Sequence, residues 1–530
     1  MGIPSYFSYI VKNHVNIIKK LNELNLINNF YLDSNSIIYD ILRELQKNYK
    51  NNDKKFEKVF IKETIKKINE YIDIISPKNK VIIAFDGVAP VAKLEQQRTR
   101  RYKSNLLNKI QSQISNDNKK VWDKTAITPG TKFMEKLGNE LIKYYQKKSI
   151  YKNIEVIVST SKEVGEGEHK IFQYIREHVE YHKNTTTLIY GLDADLIMLC
   201  LNHLHVSENI FLYRETPEFI KSINSDLEPN ASYFLDIPKL GDVIIEKMTN
   251  YDNPTKKQKV KVLHDYIFLC FLLGNDFLPH FPSINIRSSG IHTLMAAYKN
   301  TLGTQKKNLS DGKEIEWYNL KILIGFLAEC EHENIKKEYK IRNKLEKRFY
   351  LTDTVEDRLN KLNNIPTKRR DTEKYIDPFN YYWELRYYKK LFDLDINKAY
   401  KQMIATNYLE GLEWVFKYYT TGCPDWRWSY KFNYPPLLKD LLMYIPSWST
   451  KMIEENDNQP VSDIVQLSYV LPRESLTLLS KKTQQKLMKE LSDKYPDNCD
   501  LEWSFCKYFW EAHPKLPNIN LNKLESLLMS

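Results

Sequence analysis

Residues Thr185–Leu199 read TTTLIYGLDADLIML, a β-branched run that stops at Gly191 and gives way to an apolar helical pattern around Asp193, Ala194 and Asp195. A buried strand therefore hands over to a helix at a pair of acids. In an open α/β sheet, ligands bind outside the carboxyl ends of the strands, so this DxD faces the expected crevice. Taken alone, the two aspartates also suit a helix start, one as N-cap and one in the first turn. Recurrence of the pattern decides between the readings.

Working outward, Asn29–Asp33 (NFYLD) is a short apolar strand ending in Asp33, and KVIIAFDG places Asp86 and Gly87 directly after the apolar run Val81–Phe85. Ile154–Ser159 (IEVIVS) leads into GEGEHKIFQYIREH, where Glu166 and Glu168 flank Gly167 at the start of an amphipathic helix. Asp276 follows the apolar helix Asp265–Leu273, in GNDFLPH. Four strands separated by helix-length segments predict an α/β fold, a mostly parallel central sheet with helices on both faces. If the strands are neighbours, one sheet edge collects Asp33, Asp86, Glu166, Glu168, Asp193 and Asp195, with Asp276 brought in from the helix end.

Like charges about 4 Å apart repel by about 4 kcal/mol at an effective dielectric of about 20, so such a cluster requires cations. With only oxygen ligands and no Cys or His set, the expected occupants are two hard divalent ions, Mg²⁺ with Mn²⁺ as a substitute. Paired ions of this kind suit in-line hydrolysis of a phosphodiester.

Val91–Ser104, VAKLEQQRTRRYKS, follows Pro90 as a helix former. Lys93, Gln97, Arg100 and Arg101 fall at i, i+4, i+7 and i+8 and share one face, which begins seven residues after Asp86. Such a face is commonly just solvated. Beside a metal cleft it instead makes a pocket for a doubly charged terminal monophosphate.

Composition agrees with a polyanionic substrate: the 530 residues carry a net charge of +12 despite 67 acids. Six cysteines, Cys200, Cys270, Cys330, Cys423, Cys499 and Cys506, show no metal or disulfide spacing and read as reduced thiols. No secretory signal or membrane-length apolar run is present, the longest being Tyr266–Leu273. The expected protein is soluble and cytoplasmic, with a nuclear or virion-associated location as the alternatives. KKQKVK, Lys256–Lys261, reads as a basic loop or helix start in preference to a nuclear signal.

In order along the chain, MGIPSYF, YLDSNSIIY, AFDGVAPVAKLEQQRTRRYKS, ITPGTKFM, GEGEHKI, YGLDADLIMLCL and FLLGNDFLPHFPSINI resemble the first conserved region of the Xrn family of 5′-to-3′ exoribonucleases, within the FEN-like and PIN-like metal nucleases. LEGLEWVFKYYTTGCPDWRWSYKFNYPPLLKDL and SYVLPRESLTLL resemble its second. The resemblance implies that Asp33, Asp86, Glu166, Glu168, Asp193, Asp195 and Asp276 are the catalytic, metal-binding acids. It implies that Lys93, Gln97, Arg100 and Arg101 form the 5′-phosphate pocket. The family's base-stacking pair, a His and a Trp, falls on Tyr39 and Trp510, so Tyr stands here where the family has His. Tyr can stack on a base but cannot carry imidazole chemistry.

The resemblance further implies three parts: a nuclease core over 1–298, a charged helical linker over 299–375, and a largely helical second conserved region over 376–530 that packs against the core and walls the cleft. The implied enzyme is a bare catalytic core, monomeric, acting processively on single-stranded RNA with a 5′ monophosphate, in RNA decay downstream of a decapping enzyme. Two rivals stand beside it. One is a FEN-like flap endonuclease acting on DNA, suggested by SSGIHTLMAAY after the last acid. The other is a catalytically silent RNA-binding scaffold.

Overall fold

A computed structural model describes residues 2–3, 5–116, 120–147, 151–215, 227–228 and 231–529. Among these, one sheet is built from β1 (Ile18–Lys20), β2 (Asn29–Asp33), β3 (Lys80–Ala84), β4 (Glu155–Ser159), β5 (Thr187–Tyr190), β6 (Ile210–Glu215) and β7 (Ser232–Asp236). The strand order is β1-β7-β6-β5-β2-β3-β4. The four strands expected from the acid pattern are neighbours, β5-β2-β3-β4, and all are parallel. Only β7 runs against its neighbours β6 and β1.

Register aligns the carboxyl ends: Asp33 lies opposite Ala84, Ala84 opposite Ser159, and Leu32 opposite Tyr190. Each strand therefore releases its chain at the same edge.

The sheet is buried on both faces, as a run of apolar residues with no polar alternation requires. Tyr31, Ile82, Ala84, Ile189 and Leu212 point into one hydrophobic cluster. Phe30, Leu32, Val81, Ile83, Leu188 and Tyr190 point into the other, beneath the helices Asn35–Gln46, Asp53–Ile75 and Lys132–Tyr145. Helices therefore cover both sides, as expected of parallel strands joined by crossovers.

The first cluster extends well beyond the sheet. It takes in Leu263, Phe268 and Phe271 of the helix Lys256–Phe271, Trp317, Leu320 and Ile324 of the helix Trp317–Glu329, and Tyr408, Leu412 and Trp414 of the helix Lys398–Thr420. The helix Lys256–Phe271 begins ten residues before the apolar run, because Thr255 and Gln258 form a reciprocal capping box that makes KKQKVK its first turns. A separate cluster packs Leu94 against Val465, Leu487 and Leu524 from the C-terminal stretch. Among the described residues, no helix is long and apolar enough to cross a membrane, and the six cysteines are free.

Candidate functional site

At the opening segment the helix is Asp195–Asn202, its N-cap is Ala194, and no side chain caps it. Half of the helix-start alternative is corrected, since Asp193 precedes the cap; Asp195 does lie in the first turn, but its buried Oδ1 has no hydrogen-bond partner among the described residues. A carboxylate buried without a donor is costly unless a cation or proton meets it.

The neighbouring strands bring the other acids to it. Asp33 ends β2, and its carboxyl is pushed well up by burial and by the charges of Asp86 and Asp193. Asp86 accepts the Gly167 backbone N–H at 2.8 Å. Gly167 also sits against Asp33, for an added Cβ would lie 2.9 Å from Asp33 Oδ1. The Glu–Gly–Glu spacing thus lets the backbone approach two strand ends while Glu166 and Glu168 keep ligand atoms within 4.8 Å of each other.

Glu168 Oε2 is a second buried acceptor without a partner among the described residues. Burial, with Asp195 and Glu166 beside it, pushes the Glu168 carboxyl up, and burial next to Asp276 pushes Asp195 up to about 7. Ligand atoms of Glu166, Glu168 and His169 lie within 4.8 Å of one another. Orphaned acceptors, raised carboxyls and an oxygen-rich donor set fit hard divalent cations.

Asp276 sits in the loop after the helix Lys256–Phe271, whose turn is held by Asn275 Oδ1 accepting from the N–H groups of Phe277 and Leu278. Its surroundings differ from those of the other acids. Burial opposes ionisation, yet the Lys93 ammonium 2.5 Å away holds Asp276 below the usual carboxylate range. Lys93 also lies 2.6 Å from Glu166. Of the four residues expected to form the phosphate pocket, Lys93 is thus placed inside the acid cluster.

The remaining three stay together on the helix Val91–Ser115. Gln97 is buried, and its Oε1 has no partner among the described residues. Arg101 donates to Thr128 Oγ1 at 2.8 Å, leaving Nη1 buried and unpartnered among the described residues. Burial and the adjacent Arg100 pull the Arg101 guanidinium down to about 10, the signature of a cation short of an anion. Arg98, on another face, is structural and donates to the carbonyls of Pro517 and Lys494.

Tyr39 lies on the helix that begins two residues after Asp33 and is 37% exposed. Trp510 is 43% exposed and stacks on Tyr508 at 6.1 Å, so it is no core indole. Its segment is pinned by Glu511, which accepts two hydrogen bonds from Arg287.

Four contributors escaped the sequence reading. Gly2 packs so closely that an added Cβ would lie 1.7 Å from Asp195 Oδ1. His169 stacks on Tyr418 at 3.7 Å, and Tyr418, from the helix Lys398–Thr420, donates to Glu166. Arg214, at the end of β6, lies over Phe7 at 3.8 Å, with Nε and Nη1 buried and unpartnered among the described residues. Gly2, His169 and Tyr418 stand within motifs quoted above, but nothing local to Tyr418 or Arg214 signals the contact, because long-range packing alone brings them in.

Comparison with known proteins matches most of the chain. The family model for the XRN 5′-3′ exonuclease N-terminus matches residues 1–216, and that for the Xrn1 helical domain matches 256–377 and 353–529. The chain is 26% identical to the 5′-3′ exoribonuclease 2 of Arabidopsis thaliana over 99% of this chain and 66% of that protein. It is 26% identical to the 5′-3′ exoribonuclease 2 of Gallus gallus over 100% of this chain and 70% of that protein. With the 5′-3′ exoribonuclease 1 of Schizosaccharomyces pombe the identity is 27%, over 100% of this chain and 48% of that protein. The chain thus spans from about half to about two thirds of the length of these relatives. Matched across both regions, the chain belongs to the XRN family of 5′-3′ exonucleases.

Proposed function

We propose that the chain is a processive 5′-to-3′ exoribonuclease that hydrolyses single-stranded RNA bearing a 5′ monophosphate and releases nucleoside 5′-monophosphates. The observation that carries this reading is the adjacency of two opposite features on one helix: Lys93 reaches Glu166 and Asp276, and eight residues along the same helix Arg101 keeps a buried N–H free of any protein partner among the described residues. A pocket for a terminal phosphate therefore borders the acids that cut. Such a pocket measures every cleavage from the 5′ end.

Asp33, Asp86, Glu166, Glu168, Asp193, Asp195 and Asp276 are the residues to hold two divalent cations, with Mg²⁺ as the natural pair and Mn²⁺ as a substitute. When bound, such ions supply Lewis acidity to both the attacking and the leaving oxygen of an in-line displacement. The chain's own groups do the rest. Arg100, Arg101 and Gln97 hold the terminal phosphate as donors in fixed geometry. Tyr39 and Trp510 offer exposed rings for stacking on the leading bases. Lys93 contributes one fixed positive charge among the acids, keeping Asp276 ionised.

A pocket lined by two guanidiniums suits a compact doubly charged phosphate, so capped and triphosphate ends are poor substrates and a decapping step lies upstream, in mRNA decay. The enzyme works as a monomer in the cytoplasm. In the core over 1–298, Asp193→Ala tests the reading: it should abolish hydrolysis while RNA binding persists. Turnover near the wild-type rate would remove Asp193 from the metal site.

A further inference from the structure

Three elements hold the segment that carries Trp510. From the helix Val91–Ser115, Lys103 donates to the Ala512 carbonyl at 2.7 Å. From the loop after Asp276, Arg287 donates to Glu511 through both Nη groups, at 3.2 and 2.9 Å. From the helix Glu331–Glu346, Arg342 donates to the Cys506 carbonyl at 3.0 Å. Lys103 stands two residues after Arg101, and Arg287 eleven after Asp276. The exposed indole is therefore tied both to the element that carries the phosphate donors and to the loop that follows the last acid.

Arg287 has the most direct hold on the ring. Its guanidinium lies over Tyr508 at 5.5 Å, and Tyr508 stacks on Trp510 at 6.1 Å. One cation thus meets a residue on either side of Trp510 in the chain, Tyr508 by its face and Glu511 by its fork. The pair is mostly shielded from water, Arg287 being 21% and Glu511 11% exposed at the side chain, and a planar fork on a carboxylate fixes direction as well as distance. Arg287 is itself anchored. Asn285 Oδ1 accepts its backbone N–H at 2.9 Å, and Glu338 accepts from Asn285 Nδ2 and Ser288 Oγ at 3.3 and 3.1 Å. A ring that is exposed and yet held on two sides is preorganised for a flat ligand.

We propose that Arg287 is a positioning residue: through Glu511 and Tyr508 it sets Trp510 where the leading base stacks while the terminal phosphate is seated. Binding energy from the base is then spent on orienting the phosphodiester among the acids. The inference rests on the exoribonuclease reading above.

The test compares kcat/KM of the full chain with Mg²⁺ on 5′-monophosphorylated RNA whose first nucleotide is intact or abasic. Wild type should favour the intact base by about tenfold, as one stacked ring implies. Arg287→Met should reduce that preference to about twofold, chiefly through kcat, and Arg287→Lys, which cannot fork, should restore only part of it. Trp510→Ala should erase the preference, and adding Arg287→Met to Trp510→Ala should cost nothing further. Glu511→Gln keeps the shape of the turn and should shift the preference in the same direction, so the test stands even if Arg287→Met does not fold. Equal losses on both substrates and in both backgrounds would mark Arg287 as merely structural and overturn the inference, as would a wild type indifferent to the missing base. Wild-type protein that leaves both RNAs intact would instead defeat the exoribonuclease reading itself.

Discussion

The Tyr418 hydroxyl donates to Glu166 Oε2 at 3.0 Å, joining a helix of the second region to an acid of the first. Tyr418 is itself the third ring of a column, Trp428 on Trp414 at 5.5 Å, Trp414 on Tyr418 at 4.8 Å, and Tyr418 on His169 at 3.7 Å. The second region therefore helps set the orientation of a carboxylate of the proposed metal site. Tyr418→Phe keeps the stack and deletes the hydrogen bond. Removing such an outer contact typically weakens metal affinity by about tenfold or more. We expect that shift in Mn²⁺ titrations, with kcat reduced at limiting metal and KM for RNA unchanged. Wild-type metal affinity would show that the hydroxyl orients nothing.

Gly2 is the second test of the acid cluster. It is buried at φ +51°, and an alanine methyl would occupy the space of the Asp195 carboxylate. Displacing a reacting group by about 1 Å costs about a hundredfold in rate. Gly2→Ala should therefore lower kcat by about that factor, and Tm with it, because alanine is strained at this φ. Retained activity would mean that Asp195 is free to move without penalty.

On the proposed function, Arg101 selects which ends are accepted. Truncation to Ala should remove the unpartnered donor and cut the preference for monophosphate over hydroxyl 5′ ends by about tenfold or more, as loss of a charge-assisted hydrogen bond implies. Competition between the two substrates measures it directly, and an unchanged ratio would move the phosphate pocket elsewhere.

His264 should govern part of the acid sensitivity. Burial and the nearby His205 push it down to about 4, so the folded chain holds it neutral where the unfolded chain protonates near pH 6.5. Its stabilising contribution is therefore complete above that value and is lost as pH falls toward 4, about 3 kcal/mol over the window. His264→Gln should flatten the decline of Tm between pH 6.5 and 4.5 relative to wild type. Parallel curves would contradict this assignment.

Much of this site was legible in the sequence because its acids follow strands. NFYLD, VIIAF and TTTLIY are too apolar to be anything but buried, and parallel register then forces Asp33, Asp86 and Asp193 to one edge. The face shared by Gln97, Arg100 and Arg101 follows from helical spacing in the same way. Lys93 lies on that face too, but its long stem reaches past it, and only the structure shows the ammonium between Glu166 and Asp276. Tyr418 lies 252 residues from Glu166, and no local pattern announces a contact made by two elements packing together.

The central claim is that cutting is referenced to a 5′ monophosphate on RNA. Its most direct measurement is Mg²⁺-dependent turnover of one RNA sequence with a 5′ monophosphate, triphosphate or cap, beside a DNA flap. The account predicts stepwise release of nucleoside 5′-monophosphates from the monophosphorylated RNA and little turnover of the others. Preferred cleavage of the flap, or equal turnover of all three RNA ends, would contradict it.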